Sequence, residues 1–375
     1  MSTIITIDLD ALDANYRRCL ERLRPASCAA VVKADAYGLG IRSIAPALSR
    51  AGCRQFFTAT HTEGVVLRAV LPEAEIFVFE GATPRSIRVL NDYALVPVLI
   101  TPEQSAAWAE RARALGRPLP AILNIDTGMT RLGFGRRELE LLLQRPEDLE
   151  WLDIEYVMTH FACADEPGDA MLLQQLERFN ELRRALPAAP ISMGNSAGAL
   201  LGAESSGDMA RLGIALFGGN PYLNQEPALE QVLRVQSRIL QLREIHEETP
   251  VGYGATYTAR PGTRIATVGT GYADGYPWSL GNRGIASVGG HRVPVVGRVS
   301  MDLITLDVSG LPDELVQPGC LVDLIGPDVS LEELAARAGT VNYEILTRLS
   351  QRATRRFIGG PVASTENHQS TDFPA

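Results

Sequence analysis

One lysine stands where an apolar run stops. In AVVKADAYGLG (Ala30–Gly40) the run Cys28–Val32 delivers Lys33, and Asp35, Tyr37, Gly38 and Gly40 follow at once. A cation at the end of a buried strand is costly unless it is paired, deprotonated or used covalently. A lysine there, with a phenol four residues on and glycines that free the backbone, suits a carbonyl cofactor held as a Schiff base. Further along, His160 closes the run Met158-Thr159-His160-Phe161. Asn195 and Ser196 lie in MGNSAGAL, and Arg211, Gly213 and Ile214 in MARLGIALFG. A hydroxyl beside open backbone amides makes an anion site suited to a phosphate monoester. Taken singly, each residue has a plain explanation: a surface lysine, a core histidine, a helix N-cap at Ser196, an ion-paired Arg211. Gathered at one place, an amine, a phosphate cradle, an arginine and a histidine point to pyridoxal phosphate.

The elements that would gather them follow from periodicity. Short apolar runs occur at residues 29–32, 55–59, 75–79, 95–100, 121–125, 154–158, 190–193 and 209–214. Between them lie segments with helical spacing, such as 41–49, 62–70, 102–114, 136–143 and 170–185. Eight strands alternating with helices predict an α/β chain opening with a (β/α)8 TIM-type barrel. An open doubly wound sheet is the alternative, but it would carry G-x-G-x-x-G after its first strand, and YGLG differs. Past Gly218 strand-like runs follow one another with turn signals, which predicts a mostly antiparallel β domain. The expected division is a barrel over 1–225, a β domain over 226–360 and a disordered tail over 361–375. The first strand, near Ile4–Ile7, is expected to pack with the C-terminal domain. In a barrel, chemistry sits at the C-terminal strand ends, with phosphate held after the seventh and eighth strands. Lys33 ends the first barrel strand, His160 the sixth, Asn195 and Ser196 follow the seventh, and Arg211, Gly213 and Ile214 belong to the eighth.

Bulk properties narrow the partners. The 375 residues are 46% hydrophobic with a net charge of -9, which fits a globular protein and argues against nucleic acid or an anionic membrane. The five cysteines are odd in number and lack a C-x-x-C pair, so reduced thiols in a cytoplasmic protein are expected, with no metal site. The N-terminus reads as no signal peptide, and no apolar run approaches the ~18 residues of a membrane span.

AVVKADAYGLG closely resembles the cofactor-lysine signature of alanine racemases, and the resemblance spans about residues 4–357. NIDTGMTRLGF (Asn124–Phe134), MTHFACAD (Met158–Asp165), GNSAG (Gly194–Gly198), RLGIALFG (Arg211–Gly218), VGYGATYTA (Val251–Ala259), GTGYADGYP (Gly269–Pro277) and GRVSMD (Gly297–Asp302) are similar to that family's landmarks, in order. The resemblance implies a pyridoxal-phosphate enzyme that converts L-alanine to D-alanine for peptidoglycan. Lys33 would hold the cofactor and exchange the α-proton on the D-alanine face. Tyr253 would act on the other face, from the second subunit of a head-to-tail homodimer. Tyr37, Ser196, Gly213 and Ile214, with Asn195 beside them, would hold the phosphate. Arg211 would face the pyridine nitrogen, with His160 behind it. Arg131 and the Met301 backbone would bind substrate, and Tyr272 and Asp165 would shape the entrance. Free amines and phenols titrate near 10, so each base must be tuned by its surroundings, Lys33 by burial and nearby cations.

Two departures bear on substrate scope. Many family members carry a lysine, often carbamylated, at the position of Asn124; here a bound anion would substitute, or the Asn124 amide would hold Arg131 directly. Gln351 stands where several members place a tyrosine near the phosphate. A broader amino-acid racemase, acting for example on serine, is the alternative within the same chemistry. Ornithine-type decarboxylases share the two-domain plan but would need a glycine-rich phosphate loop and a cysteine motif in the second domain, and a carrier barrel would lack the β domain and Tyr253.

Overall fold

The computed structural model describes residues 3–222 and 229–360. The expected tail and the expected boundary near residue 225 lie outside the described residues.

Eight short parallel strands form one sheet: β2 (Ser27–Val31), β3 (Gln55–Thr58), β4 (Glu75–Val78), β5 (Val96–Leu99), β6 (Leu119–Asn124), β7 (Leu152–Met158), β8 (Ile191–Ser192) and β9 (Met209–Leu212). Their order, β8-β7-β6-β5-β4-β3-β2-β9, is sequential except that β9 returns beside β2. The two edge strands meet where the Ser192 hydroxyl of β8 donates to the Met209 carbonyl of β9 at 2.8 Å, beside a bridge from Ser192 to Gly207 just before β9. The result is a nearly closed barrel. Its interior is filled by aromatic rings, with Phe57 stacked on Phe77 at 4.7 Å and on Phe79 at 4.9 Å. The strands read as near-continuous apolar runs because helices cover their outer faces. Those helices start on identifiable caps. The Thr60 and Thr101 hydroxyls accept from the amides of Glu63 and Gln104, and Pro102 takes the first helical position.

The second sheet is mostly antiparallel. Its spine is β10 (Leu233–Glu244), whose Leu233, Val235, Ser237 and Ile239 face inward while Arg234 and Arg238 face out. Around it lie β13 (Arg264–Val268), β14 (Ile285–Val288), β15 (His291–Pro294), β16 (Ile304–Asp307), β17 (Leu321–Ile325) and β18 (Thr354–Ile358). The first strand of the chain, β1 (Ile4–Asp8), belongs to this sheet. It lies between β10, antiparallel with Ile5 opposite Val235, and β18, parallel with Ile5 opposite Arg355. Two elements are absent from the periodicity reading: a hairpin of β11 (Thr249–Val251) and β12 (Tyr257–Ala259), and a helix over Asn342–Thr347. Strands of three residues carry too little alternation to register as a pattern.

Candidate active site

Lys33 opens a tight turn at the end of β2. The four residues after it, Ala34, Asp35, Ala36 and Tyr37, all have φ between +53° and +56°, one turn of left-handed helix built without glycine. That conformation costs each L-residue about 1–2 kcal/mol, so the surroundings must impose it. Glu63 supplies much of the constraint: its carboxylate accepts from the Ala34 amide at 2.8 Å and from the Ala59 amide at 2.8 Å, tying the ends of β2 and β3 together. Asp35 accepts from the Ile41 amide at 2.8 Å, and the Arg355 guanidinium donates to the Gly38 carbonyl at 2.7 Å. Gly38 closes the turn at φ +83°, where a Cβ would stand 2.6 Å from the Leu346 carbonyl oxygen. The Lys33 ammonium lies 5.7 Å from the centre of the Phe79 ring. Burial pushes this amine below the ordinary lysine range, the Arg131 charge pushes the same way, and Glu63 opposes them.

Arg211, on β9, is 2% exposed and faces into the barrel end. It donates to the Ser192 hydroxyl at 2.6 Å, to the carbonyls of Thr159 at 2.7 Å and Met193 at 3.2 Å, and meets His160 Nδ1 at 3.2 Å. Its Nε, also buried, has no partner. Burial pulls the guanidinium down to about 9, which leaves it charged at neutral pH. His160 is held at about 3 by burial, then by Arg211, Arg131 and Lys33, so its ring is neutral and Nδ1 accepts from Arg211.

Ser196 begins a short helix, Ser196–Leu201, but Asn195 caps it, accepting from the Gly198 amide at 2.9 Å. That leaves the Ser196 hydroxyl to accept from the Gly213 amide at 3.1 Å, which joins the loops after β8 and β9. Gly213 lies against Tyr37, and a Cβ there would fall 2.2 Å from the phenol oxygen. Tyr37 packs its ring 5.0 Å from Phe217 and 6.2 Å from Tyr343, and burial raises its phenol well above the ordinary range. Ile214, fully buried, completes this group.

A cavity of about 180 Å³ opens beside Lys33, lined among others by Phe79, Asn124, Arg131, Leu132 and His160. Asn124 donates through Nδ2 to the Leu132 carbonyl at 3.0 Å, so it fixes the backbone of the loop that carries Arg131. Its Oδ1 is buried without a partner. The structure thus gathers Lys33, Tyr37, Arg131, His160, Asn195, Ser196, Arg211, Gly213 and Ile214 at one barrel end. Asp165 lines a cleft with Phe217 and Tyr343, the two rings that pack on Tyr37. Three residues stand apart from the cavity within one chain: Tyr253, 71% exposed, Tyr272, 46% exposed, and Met301, 53% exposed. Sequence reasoning missed Glu63, Ser192 and Arg355. Glu63 had a signal, since Thr60-x-x-Glu63 is a capping-box pattern, but its carboxylate reaches past Thr60 to the barrel strands.

The site fits an aromatic aldehyde phosphate on two features. The orphaned Arg211 Nε is a buried donor that a ring nitrogen satisfies, and the close approach of Gly213 to Tyr37 makes a cradle that any Cβ would fill. Among the described residues no cluster of ligands for a metal ion occurs, and no helix is long and apolar enough to cross a membrane.

Comparison with known proteins gives a consistent answer. The family model for the alanine racemase N-terminal domain matches residues 7–221, and that for the alanine racemase C-terminal domain matches residues 232–357. An alanine racemase from Rhodospirillum rubrum is 48% identical over 360 residues, covering 96% of each chain, and one from Brucella abortus is 43% identical over 379 residues with the same coverage. Among solved structures, alanine racemase from Bartonella henselae with covalently bound pyridoxal phosphate superposes with a TM-score of 0.92 at 37% identity. It covers 96% of this chain and 100% of its own.

Proposed function

The chain belongs to the alanine racemase family, a family of isomerases, and from that premise we propose that it interconverts L- and D-alanine using pyridoxal phosphate and two bases of its own. The observation that carries the reading is the partnerless Arg211 Nε, buried at the barrel end that Lys33 closes. Arg211 Nε would donate to the pyridine nitrogen, and Ser196, Gly213, Ile214 and Tyr37 would hold the phosphate, with Asn195 fixing the helix behind them. When bound, the cofactor supplies an electron sink that makes the substrate's α C–H acidic.

The protein's own residues do the rest. Lys33, with its amine held low, takes or returns the α-proton on one face. Arg211 stays cationic and does not hand its proton to the ring, which limits electron withdrawal and disfavours transamination. Neutral His160 accepts from Arg211 Nη2 and fixes the guanidinium plane. Arg131 binds the substrate carboxylate over the cavity, and the Met301 backbone, outside its own chain's cavity, joins it from a second copy. Tyr253 is the base for the other face. Because it is exposed and outside the lining of its own chain's cavity, it serves the site of a second copy in a head-to-tail homodimer, together with Tyr272, which with Asp165 borders the entrance. The product is D-alanine for peptidoglycan, made in the cytoplasm, where the five free thiols are stable.

Incubation with L-alanine in D₂O tests this, with the products separated on a chiral column and their α-deuterium read by NMR. Wild type is expected to yield α-deuterated D-alanine, and Lys33→Ala and Tyr253→Phe to lose it by at least about 100-fold. A wild type that exchanges no α-proton of alanine would remove the substrate assignment.

A further inference from the structure

Residues 350–355 join two parts of the molecule that neither sheet connects. On one side, Arg355 donates to the Gly38 carbonyl and Gln351 Nε2 to Asp35 at 3.4 Å, both on the turn that carries Lys33. On the other side lies Arg352. Its Nε and Nη2 donate to the two carboxylate oxygens of Asp274 at 2.8 and 2.9 Å, and Nη2 also donates to Asp302 at 2.7 Å.

Those two carboxylates sit beside the residues that present themselves at the surface. Asp274 is buried, ends the turn Tyr272–Asp274 and accepts from the Gly271 amide at 2.9 Å. Asp302 follows Met301. The two loops are already laid on each other: the Tyr272 amide donates to the Ser300 carbonyl at 3.1 Å and the Ala273 amide to the Met301 carbonyl at 3.0 Å. Gly271 permits this, since a Cβ there would lie 2.3 Å from both carbonyl oxygens. A planar guanidinium with donors in a fixed fork is suited to holding two carboxylates at a set separation, which a lysine point charge does less well.

We propose that Arg352 is a positioning residue for the racemase site: its guanidinium clamps Asp274 and Asp302 and so fixes Tyr272 and the Met301 backbone against the substrate. This rests on the reading above that Tyr272 and Met301 face substrate. Its action is on binding geometry, so loss of the clamp removes interactions shared by ground state and transition state and raises KM more than it lowers kcat.

The experiment uses full-length holoenzyme in three variants: Arg352→Gln, Arg352→Lys and Asp302→Asn. The last removes the charge of the outer arm only and leaves the buried Asp274 paired. Hydrogen–deuterium exchange by mass spectrometry is expected to quicken in peptides covering 269–276 and 297–303 in Arg352→Gln, with barrel peptides unchanged. KM for L-alanine is expected to rise about fivefold with kcat within about twofold. Arg352→Lys should recover part of the effect, and Asp302→Asn should quicken 297–303 more than 269–276. Unchanged exchange in those peptides, or parallel falls in kcat and thermal stability with KM unmoved, would overturn the clamp. A wild type that leaves alanine unchanged would instead overturn the functional reading, since exchange is measured without turnover.

Discussion

Arg211 shows how much of this site depends on a single side chain's surroundings. Three neighbouring oxygens and one imidazole nitrogen face its terminal nitrogens, and Nε is the nitrogen with no partner. If the charge there sets how strongly the ring withdraws electrons, Arg211→Glu should lower racemisation by about 100-fold and raise the transamination side reaction, measured as pyruvate formed per D-alanine. A variant with unchanged partition would show that this charge does not steer the reaction. At this scale the sequence revealed residue types better than roles. Ser196 has the position of an N-cap, and only the structure shows Asn195 doing that work and Ser196 reaching the Gly213 amide. Which of two adjacent polar residues caps a helix is decided by where the preceding strand points it. A local pattern does not carry that information.

The turn after β2 is where element-scale forces are most visible. Gly38 and Gly40 signalled that the chain leaves the strand, and Gly38 closes the turn that follows it. That Ala34–Tyr37 are left-handed was not legible, because nothing in those side chains prefers it. The constraint comes from Glu63, thirty residues on, and from Arg355 in the last strand. Gly38→Ala adds a methyl group against the Leu346 carbonyl at a positive φ, so it should cost about 1–3 kcal/mol and lower the midpoint of calorimetric unfolding by several degrees. An unchanged midpoint would mean that the turn relaxes freely. The eight barrel strands, by contrast, were legible because each is a run of buried apolar residues between amphipathic helices. The β11–β12 hairpin that presents Tyr253 was not, since its position depends on pairings too short to imprint a period.

Across the whole molecule, the separation of Lys33 from Tyr253 predicts complementation. If each site takes its lysine from one copy and its tyrosine from another, inactive Lys33→Ala and Tyr253→Phe proteins, mixed after dissociation and reassembly, should recover about a quarter of wild-type activity. Recovery of none would place both bases within one chain. The opposite end of the barrel carries a separate liability. β6 and β7 slip register where Ala121 faces Ile154 and Ile122 faces Tyr156, which leaves Glu155 as the bulged residue. Burial, with Glu75 and Asp153 nearby, raises its carboxyl to about 7. The folded protein therefore holds this proton more tightly than the unfolded chain, and stability from this group is lost as pH rises from about 4.5 through 7. Glu155→Gln should raise the unfolding midpoint at pH 8 by about 2–4 °C, discounted for partial exposure, and change it little at pH 4. An equal gain at both pH values would assign the effect to something other than that proton.

The pairing of β1 between β10 and β18 also sets the order in which the chain can finish folding on the ribosome. β1 is made before both of its neighbours: β10 follows it by more than two hundred residues and β18 by more than three hundred. At roughly 5–20 residues per second, β1 waits on the order of tens of seconds with both edges bare while the barrel strands behind it already have partners. All eight barrel strands are made before β18, so the barrel can close while the second sheet still lacks that strand. Between the making of β9 and that of β18 the nascent chain can therefore be a folded cylinder joined to an N-terminal strand whose β18 edge is still open. That open edge is a template for pairing with another chain.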